Sequence, residues 1–283
     1  MKIGAVASCF APATDPDNLI KLARAMDNMA LDSLWFGEHV LLFDEMEFGY
    51  PGTKDGKLPV PPGQGAPDQA AIISYLASQT SQLRFGTSIS LIPQRNPIYT
   101  AKEFATIDWL SNGRVELGVG VGWCKEEVEA CGYNWSDRGT RCDEALELML
   151  KLWAEDVVTH DGNHFQVQAA RFDPKPIHNK IPLVIGGYSD AALERTAKYG
   201  QGWLGFGLTP DLLAPMLKRL DAALERQQRT RQDLEILLMP ADDSLQAVAQ
   251  YEELGVDRLL PMIDTAGDVS PRLDHLNQLQ NAL

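Results

Sequence analysis

Apolar residues along this chain occur in two textures. At 3–9, 33–36, 84–91, 115–119, 183–185, 203–206, 236–239 and 258–261 they form short continuous runs with no polar alternation. Such runs predict strands buried on both faces, as in a parallel sheet covered by helices. Between them the spacing changes to threes and fours. Residues 17–29 carry Leu19, Ile20, Ala23 and Met26, residues 143–153 carry Leu146, Met149, Leu150 and Trp153, and residues 212–224 carry Leu213, Met216, Leu217, Leu220 and Leu224. Each set lies on one face of a helix. Further helices fit 69–80, 99–110, 190–199, 245–254 and 271–279. Thr209-Pro210 reads as a cap and first turn, whereas Pro215 would move that helix start later. Eight strand-helix alternations predict an α/β fold, a closed (β/α)8 barrel forming a single domain over 1–283. An open doubly wound sheet is the alternative, since periodicity does not prove closure.

Two stretches break the alternation. Residues 40–68 follow the second strand and contain Pro51, Gly52, Pro59, Pro61, Pro62, Gly63, Gly65 and Pro67, which forbids a regular element through most of the segment. A loop of this length inside a compact domain is expected to be a lid or binding loop. Residues 157–168, before the fifth strand, read as a hairpin turning at Asp161-Gly162, with Val157, Val158, Phe165 and Val167 on its arms.

Composition narrows the function. The 283 residues are 45% hydrophobic, enough for one large core, and carry a formal net charge of -14. That balance excludes nucleic acid and anionic membranes as partners, which call for a basic surface. No run approaches the roughly 18 apolar residues of a membrane span. The first residues, Met1-Lys2 and then an apolar run, are interrupted by Pro12 and Asp15 and are expected to form a strand rather than a signal peptide. Cys9, Cys124, Cys131 and Cys142 show no zinc-ligand spacing and no C-x-x-C pair, which points to a reduced, cytoplasmic setting without structural metal. Three of them lie close in sequence, which leaves a redox pair open.

In a (β/α)8 barrel the active site gathers at the carboxyl ends of the strands. Here those ends present Cys9-Phe10, Glu38-His39, 88–91, 120–123, 186–189, Phe206-Gly207, Met239-Pro240 and Pro261-Met262. The rim is apolar, aromatic and rich in glycine, with no lysine placed for a Schiff base and no His-x-His metal pair. A flat hydrophobic cofactor fits it better. Gly118, Gly120 and Gly122 interrupt Val115, Leu117 and Val119, so the backbone is expected to lie bare against a large ligand. His39, alone among five histidines at a predicted strand end, suits general acid or base work at neutral pH, or packing beneath the lid. His160, His164, His178 and His275 are expected at the surface. Gly186-Gly187-Tyr188-Ser189, leading into a helix at Asp190, resembles a phosphate cradle at a helix start, although Asp190 adds an unhelpful negative charge. Trp35, Phe36, Phe43, Trp123, Trp203 and Phe206 divide between pocket and core. Arg138, Arg141, Asp143 and Glu144 read as an ion-pair network opening a helix, or as ligand contacts.

Taken in order, Ser-Leu-Trp-Phe-Gly-Glu-His at 33–39, Phe-Gly-Thr-Ser-Ile-Ser at 85–90, Asn-Pro at 96–97, Gly-Arg-Val-Glu-Leu-Gly-Val-Gly-Val-Gly-Trp at 113–123, Arg-Cys-Asp-Glu-Ala-Leu at 141–146 and Ile-Gly-Gly at 185–187 resemble the bacterial luciferase-like oxidoreductases, in particular their deazaflavin-dependent branch. The resemblance spans nearly the whole chain. It implies a TIM barrel, commonly a homodimer, that binds coenzyme F420 or FMN at the carboxyl ends of the strands. By position, Glu38 and His39 would lie at the ring, with His39 handling the proton. Ser88-Ile89 matches the place of a non-proline cis peptide behind the ring in related enzymes. Val121, Gly122, Trp123 and Glu126 would border the ring and its ribityl chain, and Gly186, Gly187, Tyr188, Ser189 and Asp190 would hold the phosphate. Similar sugar-phosphate dehydrogenases carry a carboxylate where this chain has Trp123, and their substrate-binding lysines have no match here. An apolar or aromatic small organic substrate is therefore expected instead of a sugar phosphate. The activity implied is hydride transfer between F420 and that substrate. The alternatives are an FMN-dependent monooxygenase that activates oxygen and a flavin-binding protein without turnover.

Overall fold

The computed structural model describes residues 1–283. Eight parallel strand units follow one another around a closed barrel. In chain order they are Lys2–Ile3 with Ala5–Ser8, Ser33–Phe36, Arg84–Thr87 with Ser90–Leu91, Val115–Gly120, Leu183–Gly186, Gly202–Leu208, Glu235–Pro240, and Arg258–Leu259 with Met262–Asp264. Closure is explicit in the register, since Lys2 pairs with Arg258, Val6 with Met262, and Ala5 with Leu34. The first unit thus has the eighth on one side and the second on the other, which rules out the open sheet.

The covering helices are Pro16–Asn28, Gln69–Ala77, Pro97–Ser111, Arg138–Ala154, Asp190–Tyr199, Pro210–Arg226, Leu245–Glu253 and Ser270–Ala282. Several begin on a capping side chain: Asp15, Asp68, Asn96, Ser189 and Ser244 each accept an N–H from the first turn. Pro215 does not delay its helix. It lies on the solvent face, where water can take the carbonyl its missing N–H would have paired, so Thr209 remains the cap. A short helix, Lys125–Ala130, follows the fourth strand and was not anticipated.

Apolar burial falls into two bodies. A cluster of 60 residues fills the layer between helices and barrel, and Val6, Trp35, Val184, Leu204, Leu237, Met239 and Leu260 fill the lumen. The amino end of the barrel is closed by charge. Arg258, fully buried, lies 3.0 Å from Asp32, 2.6 Å from Glu116 and 2.7 Å from Glu235, and Arg84 reaches Glu116 at 2.7 Å. Burial works against the Arg258 cation, but the three carboxylates outweigh it and raise its pKa further.

Residues 40–68 contain no helix or strand, only a bridge between Gly65 and Ala11. The hairpin is present as Val158–Asp161 with Gln166–Ala170. Its turn lies one to two residues later than expected, because the Glu144 carboxylate collects the N–H groups of Asn163, His164 and Phe165 at 2.7–3.0 Å. The four cysteines are unpaired. No helix is long and apolar enough to cross a membrane.

Candidate active site

The second strand ends at Phe36, and Gly37 carries the chain over the barrel rim to Glu38 and His39. Glu38 is buried, and each of its carboxylate oxygens is engaged: one accepts from Leu91 N–H at 2.5 Å, the other from Arg95 Nε at 2.6 Å. Burial pushes the Glu38 carboxyl above its usual range, against the pull of Arg95 and the Leu91 N–H. Arg95 also reaches Glu103 at 3.1 Å and Asp68 at 3.3 Å. The structure therefore gives the Glu38 carboxylate to the wall of the site, where it ties the second strand end to the third, instead of to a ring. Gln69 repeats the tie, donating to Phe36 O at 2.9 Å and accepting from Ser90 Oγ at 2.6 Å.

His39 is different. Its Nδ1 is 3.0 Å from Glu127 Oε2, and its Nε2 has no hydrogen-bond partner. Trp123 stands edge-on to the imidazole, with ring centroids 5.6 Å apart, and Tyr50 stands edge-on to Trp123 at 5.2 Å. The glycine-rich fourth strand thus delivers Trp123 beside the histidine, and the 40–68 segment covers the pair from outside.

The Ser88–Ile89 peptide bond is cis, and the Ile89 side chain rises against the lumen cluster. The strand glycines serve this side chain rather than a ligand. A Cβ on Gly120 would collide with Ile89, one on Gly118 with the Thr87 carbonyl, and one on Gly186 would stand 3.2 Å from Ile89. The expectation of bare backbone against a ligand fails at Gly118 and Gly120, because the neighbouring strand already occupies that space. Gly122 is required for another reason: its φ is +77°, which side-chain-bearing residues rarely adopt. Ser88 Oγ is buried without a partner. Val121 is half-buried at the same rim.

Glu126 is half-buried, with its carboxylate between Glu47 N–H and the Cys124 thiol. It accepts from Glu47 N–H at 2.6 Å and so holds the 40–68 segment. Lys125 pairs with Glu47, and Phe48 stacks on Trp135 at 6.0 Å, both reinforcing that attachment. Glu127, the next residue along the helix, turns inward and is the functional group that sequence reading missed. The available signal was its place in the first turn of a helix directly after the Gly-Trp strand end. Arg95 and Gln69 carried no comparable signal, since their partners come from distant parts of the chain.

At the fifth strand end, Gly187 has φ +123° and its carbonyl accepts from Trp203 Nε1 at 3.0 Å. Ser189 caps the helix Asp190–Tyr199 through Ala192 N–H at 3.2 Å. Tyr188 spends its hydroxyl on the Phe206 backbone, and burial pushes its pKa up to about 12. Asp190 is exposed and paired with Arg219 at 2.7 Å. Of the five residues expected to hold a phosphate, Tyr188 and Asp190 are thus engaged elsewhere, and Arg219 offsets the Asp190 charge. Trp35, Phe36 and Trp203 are core, while Phe206 is 44% exposed at the mouth. Met262, Val40 and Leu41 are exposed apolar neighbours at the strand ends and segment root. Four cations near the mouth are paired: Arg95 with Glu38, Lys125 with Glu47, Arg219 with Asp190 and Arg272 with Asp243. Arg141 pairs with Asp137, Arg195 with Asp143, and Glu144 holds the hairpin, so those residues are structural. Arg138 pairs with no carboxylate, lying over the Trp135 ring and donating to its carbonyl, with its Nε buried and unpartnered. His160 is buried beside Glu144, not at the surface.

The model of the luciferase-like monooxygenase family matches residues 1–267, and the chain belongs to that family. An oxidoreductase is the class this fold and site define. Among curated relatives, the F420-dependent glucose-6-phosphate dehydrogenase of Amycolatopsis mediterranei is 29% identical over 236 residues, covering 80% of this chain and 65% of that protein. Among solved structures, an F420-dependent secondary alcohol dehydrogenase in complex with an F420-acetone adduct superposes with a TM-score of 0.81 at 17% identity, covering 99% of this chain and 98% of the other. The FMN-bound oxygenating constituent of 3,6-diketocamphane monooxygenase from Pseudomonas putida gives 0.74 at 15% identity, covering 100% and 97%.

Proposed function

We propose that this chain is an F420-dependent oxidoreductase that moves hydride between the deazaflavin and a small uncharged alcohol or carbonyl compound, with residues 40–68 as the lid. The carrying observation is His39, whose Nδ1 is held by Glu127 and whose Nε2 has no partner, in a mouth with exposed apolar neighbours. The orphaned Ser88 Oγ fits a cofactor that brings a hydrogen-bonding edge. Ser88, Ile89, Val121, Gly122 and Trp123 would hold its ring, and Gly186, Gly187, Ser189 and the helix start its phosphate. When bound, F420 supplies the hydride chemistry. His39 Nε2 takes the proton from a substrate hydroxyl, or returns it to a carbonyl oxygen in reverse. Trp123 and Tyr50 exclude water beside it.

Parallel fluorescence titrations of the chain with F420 and with FMN test this reading. Tighter binding of F420 supports it. Preference for FMN would replace it with the monooxygenase reading, for which oxygen consumption is the next assay.

Two exposed helices suggest the assembly. On Pro97–Ser111, Ile98 and Tyr99 lie three turns from Trp109 and Leu110, so the four form one stripe, with 40–72% of each residue exposed. Tyr75 on the neighbouring helix Gln69–Ala77 is 46% exposed. This face pairs two copies in a cytoplasmic homodimer. Sedimentation equilibrium checks it, with Leu110→Glu expected to give monomers and a monomeric native chain overturning it.

A further inference from the structure

Glu127 is the third residue of the helix Lys125–Ala130, and its side chain has no solvent exposure. One oxygen lies 3.0 Å from His39 Nδ1. The other accepts from Val40 N–H at 2.5 Å and Leu41 N–H at 3.2 Å, the first residues of the 40–68 segment. Burial pushes this carboxyl up, but the His39 hydrogen bond and charge, with the two N–H donors, outweigh it and hold its pKa below the usual range. An ionised carboxylate only accepts hydrogen bonds, so Nδ1 must carry the proton. Whenever the imidazole is deprotonated, its lone pair is then on Nε2. The other ionisable groups around the pair are Glu38 with Arg95, and the thiols of Cys124 and Cys131, which burial pushes up, Cys124 to about 11. Both thiols are therefore uncharged at neutral pH.

We propose that Glu127 is a positioning residue with two tasks: one oxygen fixes the tautomer and ring plane of His39, and the other pins the root of the 40–68 segment. Proton acceptance and the seating of that segment are then set by one carboxylate. The consequence for turnover rests on the reading of His39 given above; the tautomer itself does not.

Glu127→Gln separates these possibilities. The amide must keep its oxygen on the Val40 and Leu41 N–H groups, which turns its NH2 toward His39 Nδ1. Nδ1 must then accept, and the proton moves to Nε2. Long-range proton-nitrogen NMR spectra of the full chain, followed upward in pH until the imidazoles are deprotonated, report the tautomer of each of the five histidines, with His39→Asn giving the assignment. The native chain is expected to show the Nδ1–H form at His39 and the Gln variant the Nε2–H form. An Nε2–H form in the native chain overturns the proposal and needs no variant to be seen. An unchanged tautomer in the Gln variant also overturns it. Amide exchange supplies a second readout: Val40 N–H is expected to be protected in the native chain and to exchange at least about tenfold faster in Glu127→Ala, a 1.4 kcal/mol change, whereas an unprotected native amide removes the pinning role. Turnover is read separately. A loss of about 10²-fold with the tautomer shift fits general acid-base work by His39, while a tautomer shift with unchanged turnover leaves the proposal standing and removes His39 from the chemistry.

Discussion

The two ends of the barrel place their charged and apolar groups differently. At the amino end, Asp32, Glu116 and Glu235 lie within 4 Å of Lys2, Arg84 and Arg258, with Asp32 Oδ2 and Arg258 Nε facing at 3.0 Å outside hydrogen-bond geometry. At the carboxyl end, His39 Nε2 and Ser88 Oγ have no partner, and Phe206 and Met262 are 44% and 49% exposed. Burying the unpaired Ser88 Oγ and exposing large apolar side chains both carry a cost to the folded state. The amino end thus gathers its charges inside the barrel, while the carboxyl end leaves a ring nitrogen and apolar side chains open to a ligand, as expected where stability sits at the first and chemistry at the second.

The sharpest way to break this comparison is Arg258→Met. It leaves three carboxylates facing an uncharged thioether, and a loss of about 3–5 kcal/mol in urea unfolding is expected. A loss below about 1 kcal/mol would mean that the amino-end network is incidental. The mirror experiment is His39→Ala, expected to slow cofactor oxidation by about 10²–10³-fold with only a modest loss of cofactor affinity and little change in unfolding midpoint. Unchanged oxidation would sink its assignment. Gly118→Ala sits between the two ends. Its Cβ meets the Thr87 backbone carbonyl, so a destabilisation of at least about 1–3 kcal/mol is expected, together with weaker cofactor binding as the Ile89 platform moves. Full stability in that variant would show that the third and fourth strands need not pack so closely.

Acid titration gives a smaller effect. Glu127 is held below its unfolded value, so its contribution to stability is complete above about pH 4.3. That contribution is lost as pH falls through the lower folded value. Stability measured between pH 6 and 2 should therefore fall more steeply for the native chain than for Glu127→Gln, and parallel curves would contradict the assignment. The smallest effect is expected from Lys125→Met. Its pair with Glu47 is on the surface, and the unfolding midpoint should stay within error.

Much of the fold was legible because continuous apolar runs and helical spacing are local patterns. The strand Ser33–Phe36 and the helix Asp190–Tyr199 lie where the sequence predicts them. The glycines of the fourth strand were legible as a need for bare backbone, but not as room for Ile89, which arrives from another strand. Glu126 and Glu127 are adjacent and chemically alike. Only the orientation of one short helix sends the first to Glu47 and the second to His39.

By itself, then, the sequence determined the order of strands and helices, the apolar rim, the position of His39 and the resemblance to the family. These depend on residue type and local spacing, which any stretch of chain carries with it. Closure of the barrel, the commitment of Glu38 to Arg95, the pairing of His39 with Glu127 and the burial of Arg258 among three acids were decided only by the tertiary structure. Each joins residues dozens to hundreds of positions apart, and no local pattern encodes which buried partner a charge will meet.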